Sequence, residues 1–276
     1  MKTDDTNEAV DREQRAETNF ATFADPLVNE AIAEAAALKD TADAEKLHRL
    51  RVALRRLRTL LWAYRPILDE EFDSQQRALF KSLANAAGNT RDWDILIGLV
   101  EGNSDEGLLN ALKKQRDETA EKSSNVLLHL KLGKTLRDAV HEANRELNTS
   151  PVRTPLTKFA QKRAGAAQKQ LRKRMYHASK AGSSDYNSYH DVRKAGKKVR
   201  YLIEFFEPLL QKKQRKGLKD LKRLQKQFGA LNDVVASRDL LTAHRASLPE
   251  GVNADAALRW LKKEQRQRIK SAAKLL

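Results

Sequence analysis

Apolar residues fall along this chain at helical spacing. Leu47, Leu50, Leu54, Leu57 and Leu61 recur every three or four positions, and Val192, Val199, Ile203 and Phe206 do the same much later. Each set lies on one face of a helix with 3.6 residues per turn. Prolines and glycines mark where the pattern stops. Asp25-Pro26 reads as an N-cap with a first-turn proline, and Pro66 and Pro208 each close one helix and open the next. Gly88, Gly102, Gly133, Gly182 and Gly229 sit at breaks in the periodicity. This punctuation predicts helices over about 20–39, 42–65, 68–87, 91–100, 105–131, 135–147, 155–181, 187–206, 209–228, 232–246 and 254–274. No segment reads as a strand, so the expected fold is all-α.

The stretch LNTSPVRTP, Leu147 to Pro155, is rich in Pro, Ser and Thr and reads as a linker near the middle of the chain. It divides two similar halves. His48 and His190 lie 142 positions apart, as do Pro66 and Pro208, and the turns GNTRD (Gly88–Asp92) and GALND (Gly229–Asp233) lie 141 apart. Three landmarks in one register predict an internal duplication. The expected architecture is two pseudo-symmetric antiparallel helical bundles, over 19–150 and 151–276, behind a loose polar tail over 1–18.

Composition supports helices and adds a charge. Of 276 residues 40% are hydrophobic, enough for a sizeable core, and aromatics are only 6%. Lys and Arg number 53 against 37 Asp and Glu, a net charge of +16 that favours an anionic partner. With no cysteine, thiolate catalysis and disulfides are excluded. The N-terminal MKTDDTNEAVDREQRAET has no apolar core of a signal peptide, and no stretch of about 18 apolar residues occurs, so a soluble cytoplasmic protein with no membrane partner is expected.

The charge is patterned. HRLRVALRRLR, His48 to Arg58, holds five arginines and a histidine, and HDVRKAGKKVR, His190 to Arg200, repeats its grammar. With His48 at zero on a helical wheel, Arg51, Arg55 and Arg58 fall at about 300°, 340° and 280°. The leucines occupy about 180° to 260°, so the cations line the edge of the apolar face. His190, Arg193, Lys197 and Arg200 form the matching stripe, while Arg49 and Arg56 point elsewhere, toward solvent. A cation at that edge packs its stem among neighbouring helices and turns its head into a cleft. Such a stripe is either neutralised internally, with Asp92, Asp94 and Asp233 as the available carboxylates, or it awaits an anionic ligand. A third tract has no acid between Glu146 and Asp185, and its Lys158, Lys162, Lys169 and Lys173 share one helix face that either extends the positive field or is simply solvated.

HRLRVALRRLR, NTRDWDIL, HDVRKAGKKVRYLIEFF and LKRLQKQFGALNDV, in that order and spacing, resemble the CHAD (conserved histidine α-helical domain) family over about 20–275. The resemblance implies helical bundles around a basic central cavity, binding of inorganic polyphosphate, and association with polyphosphate granules in some members. Carried onto this sequence, the polyphosphate-binding residues are His48, Arg51, Arg55, Arg58, His190, Arg193, Lys197 and Arg200. Arg49, Arg56, Lys194, Lys198 and the four lysines of the third tract are secondary. One departure is Gly196 inside the second basic helix, which costs about 1 kcal/mol relative to Ala and marks close helix packing.

Rival functions find less in the sequence. The histidines lie among cations, with no HExxH pattern or ligand cluster, so metal binding or a histidine domain accessory to phosphate enzymes is disfavoured. A histidine held within the helix packing is the plain alternative at either site. GxxxxGK[ST], GxGxxG and the ExExK strand of triphosphatases are all missing from the sequence. Neither catalysis nor a cofactor is therefore expected. Nucleic acid is the serious competitor as partner, because any basic groove gains from counterion release. Against it, the stripes carry no aromatic residue to stack on bases, and Trp62, Trp93 and Trp260 read as core anchors.

Overall fold

The computed structural model describes residues 14–38, 44–181 and 185–276. Its helices are α1 (Phe20–Ala36), α2 (Ala44–Tyr64), α3 (Glu70–Ala86), α4 (Asn89–Val100), α5 (Glu106–His129), α6 (Leu132–Thr149), α7 (Leu156–Lys180), α8 (Tyr186–Phe206), the single turn α9 (Lys212–Arg215), α10 (Leu218–His244) and α11 (Asp255–Ala273). Among the described residues there is no strand, only one isolated bridge between Arg15 and Pro155. The all-α expectation holds.

Local chemistry sets several boundaries. Asp69, Asp105 and Asp185 cap α3, α5 and α8 by accepting hydrogen bonds from the backbone N–H groups of Phe72, Leu108 and Ser188. Pro66 and Pro208 each lie in a three-residue 3₁₀ turn, Arg65–Ile67 and Glu207–Leu209, that ends a 21-residue basic helix. The expected breaks at Pro66 and Pro208 are thus present, and α2 and α8 end alike.

Three punctuation marks read differently in the structure. Pro26 lies inside α1, not in a first turn, because the packed Phe20 and Ala24 extend the helix ahead of it. Lys131, with φ of 43°, takes the left-handed position before α6, and Gly133 is already helical. Gly229 does not break the chain at all, so the two helices expected over 209–228 and 232–246 become α10. Leu221, Leu224, Phe228, Leu231, Val234 and Val235 form one continuous buried stripe through it, which outweighs the glycine penalty of about 1 kcal/mol. Gly182 lies outside the described residues.

The core has two parts, and neither coincides with a sequence half. The larger gathers α1–α3, α6–α8 and the first part of α10. The six leucines of α2 are at most 3% exposed, each contributing about 1.5–3 kcal/mol of burial. An aromatic chain runs from Phe20 to Tyr64 (ring centroids 5.0 Å apart), on to Phe159 (4.8 Å) and then to Phe206 (6.1 Å), crossing from one sequence half to the other. The smaller core joins Trp93, Leu96 and Val100 of α4 and Leu108 and Leu112 of α5 to Val234 and Leu241 of α10 and to Leu261 of α11. Each core thus draws side chains from both segments, 19–150 and 151–276.

The expected linker is tied down. Leu147–Thr149 belong to α6, Ala16 N–H donates to the Thr154 carbonyl at 2.8 Å, and Leu156 N–H donates to that of Gln14 at 3.0 Å. The buried Glu17 carboxylate accepts the Thr154 N–H at 2.9 Å. Of the tail expected over 1–18, residues 1–13 lie outside the described residues, whereas Ala16 and Glu17 are buried.

Candidate functional site

The edges of α2 and α8 meet across a cleft of about 810 Å³ that α3 and α7 complete. Ten Arg and Lys side chains line it, with one carboxylate, Asp191. From α2 come Arg51, Arg55 and Arg58; from α8 come His190, Arg193, Lys194, Lys197 and Lys198. Cations at the apolar edge of a helix thus do face a shared space.

Internal neutralisation reaches part of this set. Arg51 donates to Asp92 at 3.0 Å and to the Gly88 carbonyl at 2.9 Å. Gly88 leaves room for this contact, since a Cβ there would stand 2.8 Å from Arg51 Nε and 2.9 Å from the Ala84 carbonyl oxygen. Arg193 reaches Asp233 only at 4.0 Å, and its Nε is buried without a partner. Asp92 and Asp233 come from the two recurring segments, GNTRD and GALND, and both lie within helices, α4 and α10. Asp94 instead takes Arg116 at 3.0 Å, away from the stripes. Asp191 bridges Lys194 and Arg174, both at 2.8 Å. Among the described residues Arg58 and Lys197 have no hydrogen-bond or ion-pair partner, and Arg55 has only the Tyr201 hydroxyl at 3.3 Å.

The electrostatic cost shows in the titration of these groups. Burial, then Arg55 and Arg193, push the Lys197 ammonium down to about 6, with Asp233 offsetting only part. Burial and then Arg55 lower Arg58. Burial also lowers Arg193, and lowers Lys198 with help from Arg58. His190 is lowered by burial and Lys194. Its Nδ1 lies 3.0 Å from Asn232 Oδ1, which also accepts from the Tyr186 hydroxyl at 3.1 Å. With the imidazole proton on Nδ1, Nε2 is the free ring nitrogen.

Not every expected residue lines the cleft. His48 does not, although burial and Arg91 lower its pKa and its Nδ1 is buried without a partner. Arg200 turns to Gln225 (3.0 Å) and Glu204 (2.9 Å), because α10 covers that side of α8. Arg49 is exposed, as expected, and pairs with Glu34 of α1 at 2.7 Å, whereas Arg56 is half-buried, near Glu30 at 3.5 Å and over the Phe205 ring. Lys158, Lys162, Lys169 and Lys173 occupy the exposed face of α7 outside the cleft.

Other residues were not singled out from the sequence: Arg77 and Lys81 of α3, Gln170 and Arg174 of α7, Trp62 and Tyr201. A signal for the α7 pair exists. Gln170 and Arg174, with Arg163, form a stripe at spacings of seven and four beside the buried Phe159, Ala167 and Leu171, the same edge position that α2 and α8 use. Trp62 packs against the larger core and also forms a wall of the cleft, where its ring holds Lys198 Nζ at 4.4 Å and the Arg163 guanidinium at 4.6 Å. Trp93 and Trp260 do pack in the smaller core. Gly196 packs as expected, since a Cβ would stand 3.1 Å from Leu224 Cδ2. Among the described residues no group of three His, Asp or Glu could hold a metal ion.

An all-helical chain with two edge-lined basic helices facing one cleft is the class of protein this geometry defines. The CHAD domain model matches residues 23–242, and the chain belongs to the CHAD family. Its structure is similar to the crystal structure of the CHAD domain from the plant Ricinus communis, with a TM-score of 0.76 and 24% identity over 95% of this chain and 92% of that one. It is also similar to PptA from Streptomyces chartreusis, with a TM-score of 0.64 and 18% identity over 95% of this chain and 98% of that one. These likenesses concern the fold. The search of curated proteins returned no match.

Proposed function

We propose that this chain is a non-catalytic binding module for inorganic polyphosphate, held along the cleft between α2 and α8. The observation that carries the proposal is the set of ten cations facing one carboxylate in a single cleft, with Arg58 and Lys197 unpaired and Arg193 poorly paired. A chain with about one negative charge per phosphate relieves that repulsion, and guanidinium forks grip its nonbridging oxygens in pairs while lysines act as point charges. Cations one helical turn apart are about 5–6 Å from each other, within reach of successive phosphates of a flexible chain. His190 adds an Nε2 that becomes a donor once a bound anion favours its protonation. Family membership and the resemblance behind it point to the same ligand.

Nucleic acid is the second reading, since Trp62 and Tyr201 bring aromatic surface to the cleft. Tyr201 is only 3% exposed and Trp62 already carries two cations, so neither offers a free stacking face. The deciding experiment is competition of long-chain polyphosphate against RNA and duplex DNA at equal charge and several salt concentrations. Polyphosphate should win at every salt, with affinity falling steeply as salt rises. RNA or DNA winning at equal charge would overturn the assignment. No helix among the described residues is long and apolar enough to cross a membrane. Localisation at polyphosphate granules, in the cytoplasm, follows from the proposal and is testable by imaging a tagged chain.

A further inference from the structure

Lys197 differs from the other lysines of the cleft. Lys194 is paired with Asp191, Lys198 lies over Trp62, and Lys81 is exposed on α3. Lys197 is half-buried, with Arg193 one turn before it on α8, Arg51 and Arg55 facing it from α2, and Asp233 of α10 as the carboxylate that influences it. Arg174 of α7 closes the same cleft, engaged with Asp191. An amine crowded by guanidiniums and removed from water is held unprotonated, which frees its lone pair for nucleophilic attack. The same guanidiniums are receptors for a phosphate dianion. A nucleophile and a leaving-group site therefore share one space.

We propose that Lys197 is an acylation site for small acyl phosphates, the mixed anhydrides of a carboxylic and a phosphoric acid. The phosphate end docks on Arg55 and Arg193 and brings the carbonyl carbon to Nζ. The N–C bond forms, the C–O bond to phosphate breaks, and its electron pair leaves on the phosphate oxygen. The proton lost from nitrogen passes to that phosphate, which departs as hydrogen phosphate and leaves an uncharged amide in the stripe. The proposal rests on the cleft geometry and the charges around Lys197, whichever polyanion the cleft serves.

Near neutral pH an exposed lysine of ordinary pKa is about 0.1% neutral, whereas Lys197, held down to about 6, is mostly neutral. Its lower basicity also makes the amine intrinsically less nucleophilic, so the expected net advantage is about tenfold in rate. The test incubates the full chain with acetyl phosphate at pH 7.4 and follows acetylation by peptide mass spectrometry at Lys197 and at the exposed Lys158, Lys162, Lys169 and Lys173. Lys197 should react about tenfold faster and inorganic pyrophosphate should slow it alone. Above pH 7 its rate should level off while the surface sites keep accelerating. Equal rates at all five lysines, or no slowing by pyrophosphate, would overturn the proposal. An Arg55→Gln variant, checked for fold by its thermal melt, should lose most of the Lys197 advantage; keeping it would count against docking on the guanidiniums. Protection of Lys197 by long-chain polyphosphate separates this inference from the proposed function. Fast labelling without protection would remove polyphosphate from the cleft and leave the reactive lysine standing. Tight polyphosphate binding with slow labelling would do the reverse.

Discussion

Raising the pH should weaken polyphosphate binding well below the range where ordinary lysines titrate, and Lys197 sets the size of the effect. Free Lys197 titrates at about 6, driven down by burial and by Arg55 and Arg193. A long polyanion, which brings several phosphate charges to the stripe rather than the single phosphate of an acyl donor, reverses that sign and restores the charged form, so binding takes up a proton. If the bound chain holds Lys197 charged, the dissociation constant rises up to tenfold per pH unit above 6, about fiftyfold between pH 6 and 8. His190 and His48, lowered below their ordinary values, add to the slope only at the acidic end. The ligand-free protein should show the opposite trend in stability. Its Lys197 has a folded pKa below the unfolded value of about 10.4, so the unfolded chain binds the extra proton between about 6 and 10.4. Stability therefore rises with pH across that window, by about 1.4 kcal/mol per unit at most. Isothermal titration calorimetry at pH 7.4 in two buffers of different ionisation enthalpy should report close to one proton taken up per binding event, and Lys197→Met should abolish it and flatten both pH profiles. Proton uptake near zero in the unmodified protein, or an unchanged slope in Lys197→Met, would refute the reasoning.

Three further outcomes can be checked. Replacing Arg51, Arg55 and Arg58 with Gln should weaken polyphosphate by at least tenfold with the helical circular dichroism intact, whereas Leu54→Asp should unfold the protein by burying an unpaired charge. Gln at Arg77 and Arg174, which line the cleft, should cost more affinity than Gln at all four of Lys158, Lys162, Lys169 and Lys173, although the second change removes more charge. Gly88→Ala should lower the melting temperature by an amount equivalent to about 1–3 kcal/mol, because the added Cβ meets the Ala84 carbonyl, and should weaken binding by displacing Arg51.

Much of this was legible in one dimension. The leucines of α2 fixed which face is buried, and that face fixed where Arg51, Arg55 and Arg58 stand, because angular position on a helix is a local property. Continuity is not local. Gly229 has the look of a helix end, yet α10 runs through it because residues on both sides pack against elements distant in the chain. On α7 charge density drew attention to Lys158 and its partners, whereas the cleft uses Gln170 and Arg174, beside the apolar stripe. His48 and Arg200 occupy the expected angular positions, yet α10 draws Arg200 away and His48 does not line the cleft. Position on a helix limits what a side chain can meet, and the neighbouring helix decides whether it does.

The sharing of each core between the two sequence halves bears on how the molecule is made. Ribosomal synthesis exposes α2 long before α8, so its basic edge is bare while its eventual neighbours are still unmade. Trp93 and Leu96 of α4 wait longer still, for Leu241 and Leu261 near the end of the chain. Contacts of such sequence separation form slowly, because the intervening chain must be ordered before they return any stability. A nascent chain halted after α7 would hold the elements of the cleft except α8 and half of the smaller core, with exposed apolar surface beside a dense positive field. Such a chain invites nonspecific capture by any nearby polyanion, the ribosome's own RNA included.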